Sequence, residues 1–155
     1  MSNPQDSNSS LKIKITEDMK SSMKSGDKKR LAAVKLILAA IINQEVNTRK
    51  DLSDENIFEI LKKLSKKNKE SLTYYREENR NDLAEQEEFE LSVIKEYLPE
   101  EMPEEEIKQM IEAIISEKSI QQMSQIGEIM SELKKRSNNR ADMGFASKFV
   151  KEKLS

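Results

Sequence analysis

Apolar residues return along this chain at intervals of three and four, the period that stacks side chains on one face of an α-helix. Leu11, Ile15, Met19 and Met23 form the first stripe, and Ser25-Gly26 ends it, because glycine enters a left-handed cap without a Cβ penalty. Asp27 is placed to cap a second helix, in which Leu31, Val34, Leu36, Ile37, Leu38, Ile41 and Ile42 make more than half the circumference apolar. That helix is expected to carry the core of its half. Ser53 is a good N-cap for a third, and Leu52 and Ile57 have the spacing of a hydrophobic staple. Ile57, Ile60, Leu61, Leu64, Leu72 and Tyr75 continue its apolar face. After a turn-like stretch from Glu78 to Asp82, Leu83, Phe89, Val93, Ile94 and Tyr97 supply a fourth.

The run Leu98-Pro99-Glu100-Glu101-Met102-Pro103 interrupts this rhythm, since each proline steers the residue before it away from helical geometry. A domain boundary is expected there. Pro103 suits the first position of a fifth helix, with Glu104, Glu105 and Glu106 favourably placed in its first turn and Ile107, Met110, Ile111, Ile114 and Ile115 on its buried face. Ser124 is a candidate cap for a sixth, carrying Ile126, Ile129, Met130 and Leu133, and Phe145, Phe149, Val150 and Leu154 mark a seventh. The expected organisation is an all-α protein: a polar, fraying tail over 1–10, a helical bundle of about four helices over 11–98, a hinge over 99–103 and a three-helix domain over 104–155. Three Gly and three Pro among 155 residues, with no Trp, agree with helix rather than sheet.

Composition then removes most chemistry. Without Cys there is no disulfide, thiolate ligand or thiol nucleophile, and without His no imidazole base and no common metal ligand. Gly26, Gly127 and Gly144 lie too far apart to build a phosphate-cradling loop, so no cofactor is expected. No uninterrupted apolar run approaches the roughly 20 residues a bilayer requires, and the start of the chain has no leader-like pattern, so neither membrane insertion nor secretion is expected and the cytosol is the default address.

A net charge of −2 conceals segregation. Residues 11–80 hold 17 Lys and Arg against 11 Asp and Glu, residues 81–117 hold 2 against 13, and residues 118–155 hold 8 against 4. Basic ends therefore flank an acidic belt. Lys62, Lys63, Lys66, Lys67 and Lys69 cluster on the third helix, and Lys134, Lys135, Arg136, Arg140, Lys148, Lys151 and Lys153 near the C-terminus. Such clusters are either solvated helix surface or phosphate contacts, and without interleaved aromatics they would read backbone and shape rather than base sequence. Glu85, Glu87, Glu88 and Glu90 do not converge as a metal site would require, because adjacent helical positions point apart. Tyr74 and Tyr75 are expected to be partly core rather than a stacking platform.

The stretch LKIKITEDMKSSMKSGDKKRLAAVKLILAAI from Leu11 to Ile41 resembles the YqeY-like family, as do Tyr97-Leu98-Pro99-Glu100 and Glu104-Glu105-Glu106-Ile107. So do the frame of Met123, Gly127, Met130 and Leu133, the triplet Arg140-Ala141-Asp142, and Val150-Lys151 with Leu154. That family shares a domain with the tail of the B subunit of the glutamine-dependent aspartyl/glutamyl-tRNA amidotransferase. The resemblance implies an N-terminal bundle followed by a three-helix tail domain similar to a module that engages tRNA around its outer corner. It also implies an accessory role beside tRNA or a tRNA-modifying enzyme or synthetase, because the amidotransferase's own catalytic centres lie in parts this chain lacks. Arg140 and Lys151 lie in matching stretches, and Lys134, Lys135, Arg136 and Lys148 join them on charge alone. Asn139 stands where the family's GRADG turn has its first glycine and Met143 where it has its last. Two other readings stay open: a protein-interaction module using the acidic belt against a basic partner, and a component with carbon–nitrogen ligase activity taking glutamine as amido-nitrogen donor.

Overall fold

The structure is a computed structural model that describes residues 9–155. Among the described residues 81% are helical and no strand occurs. Helices α1 (Ser10–Ser25), α2 (Lys28–Thr48), α3 (Asp54–Glu77) and α4 (Asn81–Tyr97) are followed by α5 (Glu104–Lys118), a single 3-10 turn (Met123–Gln125), α6 (Ile126–Arg136) and α7 (Met143–Leu154). They fall into two compact units, the first ending at Leu98 and the second running from Pro99 to Ser155.

Local signals set most of the helix ends in the first unit. Gly26 takes a φ of 76° and closes α1, and the Asp27 side chain accepts from the Arg30 N–H to open α2. Ser53 and Asn56 cap α3 reciprocally, with Leu52 and Ile57 buried beside them. α1 begins one residue earlier than its apolar stripe. Ser9 caps it through the Lys12 N–H at 2.9 Å, and the Ser10 hydroxyl and Leu11 N–H donate to Asp54 at the head of α3 at 2.8 and 3.1 Å. Partial burial raises the Asp54 pKa, but the bonds from Ser9, Leu11 and Ser10 outweigh it and hold the group below its usual value. Ser9 and Ser10, expected to belong to a fraying tail, are instead held at the start of α1, and residues 1–8 of that expected tail lie outside the described residues.

The core of the first unit joins Ile15 of α1, Val34, Ile37 and Ile41 of α2, Ile57 and Leu61 of α3, and Val93, Ile94 and Tyr97 of α4. Around it the Tyr97 hydroxyl donates to Asp18, and Arg30 donates to Glu96 at 2.7 Å. α2 is less buried than its sequence predicts. Leu36 and Ile42 are 55% and 51% exposed, because the partners of α2 cover only one side of it. By length and composition α2 would also suit a membrane span. Its apolar positions do not form an uninterrupted run, because Lys35, Asn43, Gln44 and Glu45 fall between and after them.

In the second unit Ile107, Ile111 and Ile114 of α5 meet Ile129 and Leu133 of α6 and Ala146 and Val150 of α7. Two local expectations are corrected here. Pro103 is not the first helical residue but the one before it, its carbonyl accepting from the Ile107 N–H at 3.0 Å. Ser124 does not cap α6. It sits inside the 3-10 turn, where Gln122 and Gln125 satisfy each other's backbone groups with longer side chains than serine offers.

Candidate nucleic-acid interface

Four of the six predicted contact residues lie at or near the turn joining α6 to α7. Lys134, Lys135 and Arg136 form the last turn of α6, where positive charge complements the helix dipole. Ser137 follows, then Asn138 and Asn139 with φ values of 52° and 64°. Asparagine tolerates that left-handed region, so the chain reverses without glycine. Arg140 carries the turn's main tertiary contacts: its Nε donates to the Glu100 carbonyl at 2.8 Å, and its own carbonyl accepts from the Met102 N–H at 3.1 Å. Asp142 caps α7, its Oδ1 accepting from the Gly144 and Phe145 N–H groups at 2.9 and 3.1 Å. A carboxylate already fills that helix N-terminus, so it offers no place to an external anion.

The six residues divide into those committed within the unit and those that remain exposed. Arg136 is held by Glu117 and by Glu132, the latter at 3.0 Å, and these bonds raise its pKa above the usual arginine value. Its guanidinium is spent locally. Arg140 is half-buried and has one nitrogen fixed on a backbone carbonyl. Lys134 is half-buried and partnered, whereas Lys135 is exposed roughly a quarter-turn away on the helix. Lys148 and Lys151, three residues apart, share the face of α7 opposite buried Ala146 and Val150; both are exposed, and neither is in an ion pair among the described residues. Helical spacing thus brings together Lys148 and Lys151, while the Arg136 guanidinium, on an exposed residue, is engaged by Glu117 and Glu132.

The acidic belt is likewise largely engaged. Glu88 pairs with Arg76, Glu96 with Arg30, Glu105 with Lys108, Glu112 with Lys153 and Glu117 with Arg136. Glu87 and Glu90 both accept from the Asn68 amide, at 2.7 and 3.0 Å. Burial first, then the neighbouring Glu90, pushes the Glu87 carboxyl above its usual pKa. The Glu132–Arg136 pair was readable as an i,i+4 spacing, but Glu117, nineteen residues from Arg136, left no local signal. Tyr74 is 60% exposed, with its ring edge-on to half-buried Tyr75 at 5.7 Å between centroids, so the expected burial holds only in part for Tyr75.

Asn139 is the weak point of the turn. It is 9% exposed, it has positive φ, and its Oδ1 has no hydrogen-bond partner. Asn139→Gly removes both the conformational cost and the orphaned acceptor, and is expected to stabilise the second unit by about 1 kcal/mol in thermal unfolding after the entropy lost to glycine is deducted. An unchanged or lower midpoint would mean that the amide makes a contact worth keeping.

A family model described as Yqey-like protein matches residues 12–154. The chain belongs to the YqeY-like family. Among curated proteins, this YqeY-like chain is similar to "Altered inheritance of mitochondria protein 41, mitochondrial" of Lachancea thermotolerans, 33% identical over 85 residues, 54% of this chain and 46% of that protein. The Saccharomyces cerevisiae protein of the same name is 27% identical over 124 residues, 75% of this chain and 66% of that one. An uncharacterized protein of Schizosaccharomyces pombe is 31% identical over 90 residues, 58% of this chain and 73% of that protein. The match thus spans less than two thirds of the first two relatives. Their names overturn the cytosolic expectation, since both are called mitochondrial. The physical reason is that the expectation rested on missing signals, and the lack of an apolar run specifies no compartment.

Proposed function

We propose that this YqeY-like protein is a non-catalytic tRNA-binding accessory module whose second unit contacts the tRNA backbone through Lys135, Lys148 and Lys151, with Lys134 and Arg140 at the margin. The carrying observation is the pair Lys148 and Lys151, exposed on the outer face of α7 with no carboxylate bound to either among the described residues. Exposed cations with no carboxylate bound to them are available to phosphate. Family membership supports the tRNA assignment by way of the amidotransferase tail that the sequence resembles. A chain with neither His nor Cys is better equipped to hold an RNA than to transform one.

The test is a titration of the full chain with tRNA over a series of salt concentrations. Contacts with two or three phosphates predict that log affinity falls against log salt with a slope of about −0.7 to −0.9 per contact. Lys148→Glu with Lys151→Glu is expected to weaken binding about tenfold or more and to flatten that slope, with the melting temperature unchanged because both side chains are exposed. Absent or salt-independent binding, or a double variant that binds as the parent does, would overturn the assignment.

A further inference from the structure

A second surface, on the first unit, has no part in the tRNA contact. One side of α2 places Val34, Ile37 and Ile41 in the core. Along another side Lys28, Lys35, Ala39, Ile42 and Val46 follow at intervals of seven, four, three and four, the spacing that sets side chains in one line, and all five are exposed. Arg49, also exposed, follows at the C-cap. Ile42 and Val46, on adjacent turns, are 51% and 68% exposed, so this line puts aliphatic surface into water beside its cations. Its charge has one sign. The only carboxylate on α2 is Glu45, which is half-buried and held by the Lys12 ammonium at 2.8 and 3.1 Å, whereas Lys28, Lys35 and Arg49 are in no ion pair among the described residues. Asp51, in the loop beyond, is outnumbered there by Arg49 and Lys50. On the other flank Asp82 and Glu85 of α4 share a crevice with Lys29 and Ala32, which none of the five lines. α1, packed on α2 through Ile15, adds exposed Lys14, Lys20 and Lys24 against one exposed carboxylate, Glu17.

We propose that this stripe of α2 seats the first unit on an anionic lipid surface, with Ile42 and Val46 entering the boundary between headgroups and acyl chains and Lys28, Lys35 and Arg49 on the headgroups. Aliphatic and cationic side chains on one exposed helix face, with no free carboxylate among them, are the complement of such a surface. α2 lies on the bilayer rather than across it, because crossing would strip Val34, Ile37 and Ile41 from the core. A protein partner fits less well. Lys35 stands within the stripe, four residues from Ala39 and seven from Ile42, and lysine is depleted from the centre of protein interfaces. At a bilayer its alkyl stem runs along the apolar neighbours while the ammonium reaches the headgroups. A second copy of this chain would set a purely cationic stripe against itself. RNA would leave Ile42 and Val46 without a contact.

Flotation of the full chain with phosphatidylcholine vesicles, with and without phosphatidylserine, tests this. Binding is expected only to the vesicles that contain phosphatidylserine, weakening as salt rises. Lys35→Glu with Arg49→Glu should reduce it about tenfold or more, and so should Ile42→Ser with Val46→Ser. These side chains are exposed, so circular dichroism melts should match the parent and separate lost binding from lost folding. Because the chain has no Cys, Val46→Cys gives a single attachment point for an environment-sensitive fluorophore. Its emission should shift to the blue on the anionic vesicles, while the same label at Tyr74→Cys on α3 stays unshifted. Lys148→Glu with Lys151→Glu should float as the parent does, which keeps the two surfaces distinct. Absent flotation, equal flotation with both vesicle types, or equal shifts at the two labels would overturn the proposal. So would release of the vesicle-bound Lys148→Glu, Lys151→Glu variant by tRNA, or a dimer in light scattering that Ile42→Ser with Val46→Ser dissociates.

Discussion

Leu133→Ala is expected to unfold the second unit while the first keeps its helical signal. Leu133 is fully buried among Ile107, Ile111, Ile114 and Ile129, in a unit that runs only from Pro99 to Ser155. Truncating a buried leucine costs about 2–5 kcal/mol, through lost transfer free energy and the cavity left behind. A domain of this size has little stability in reserve, so a loss in that range is comparable with its whole folding free energy. No residue of that core belongs to the core of the first unit. A thermal scan should therefore show part of the ellipticity lost before heating and a remaining transition close to that of the parent. tRNA binding should disappear with it. A single cooperative transition, shifted as a whole, would mean that the two units fold as one.

Tyr97→Phe should cost the first unit about 1.5–3 kcal/mol, the range for a hydrogen bond to a charged acceptor. Tyr97 is 5% exposed, and its hydroxyl donates to Asp18, which lies 3.8 Å from Arg30. The bond thus links α1 to α4, with α2 contributing the cation. Removing the hydroxyl leaves a partly buried carboxylate with one donor fewer. The same bond has a signature in pH. Burial first, and then the bond to Asp18, raises the phenol above its usual pKa of about 10, so the folded state holds this proton more tightly than the unfolded chain does. The corresponding stability is complete below pH about 10 and declines as pH rises above it. Alkaline denaturation should set in earlier in the parent, relative to its neutral stability, than in Tyr97→Phe. Parallel pH profiles for the two proteins would dissociate the hydroxyl from that loss.

The features legible in the sequence were those with short-range causes. Gly26 after a four-residue stripe, Asp27 and Ser53 as caps, and Leu52 with Ile57 as a staple all act within one turn of helix, and each takes its expected place. Leu36 and Ile42 were misplaced because periodicity tells which residues are apolar, not how many neighbours exist to cover them. Ser124 lost the cap of α6 to a pair of glutamines, a competition between local hydrogen bonds that no single residue announces. In the candidate interface, helical spacing correctly placed Lys148 and Lys151 on one face. It could not reveal that Glu117 would claim Arg136, or that Arg140 would be bonded to the chain at Glu100, because both contacts join residues distant in sequence.

Ultraviolet crosslinking of the full chain to tRNA, with the attached peptides identified by mass spectrometry, tests the central claim most directly. Attachment within α7 around Lys148 and Lys151, and at Lys135, competed away as salt rises, is the result this structure predicts. Crosslinks confined to the α3 lysines, or none above those given by an equally acidic protein without the α7 pair, would contradict it.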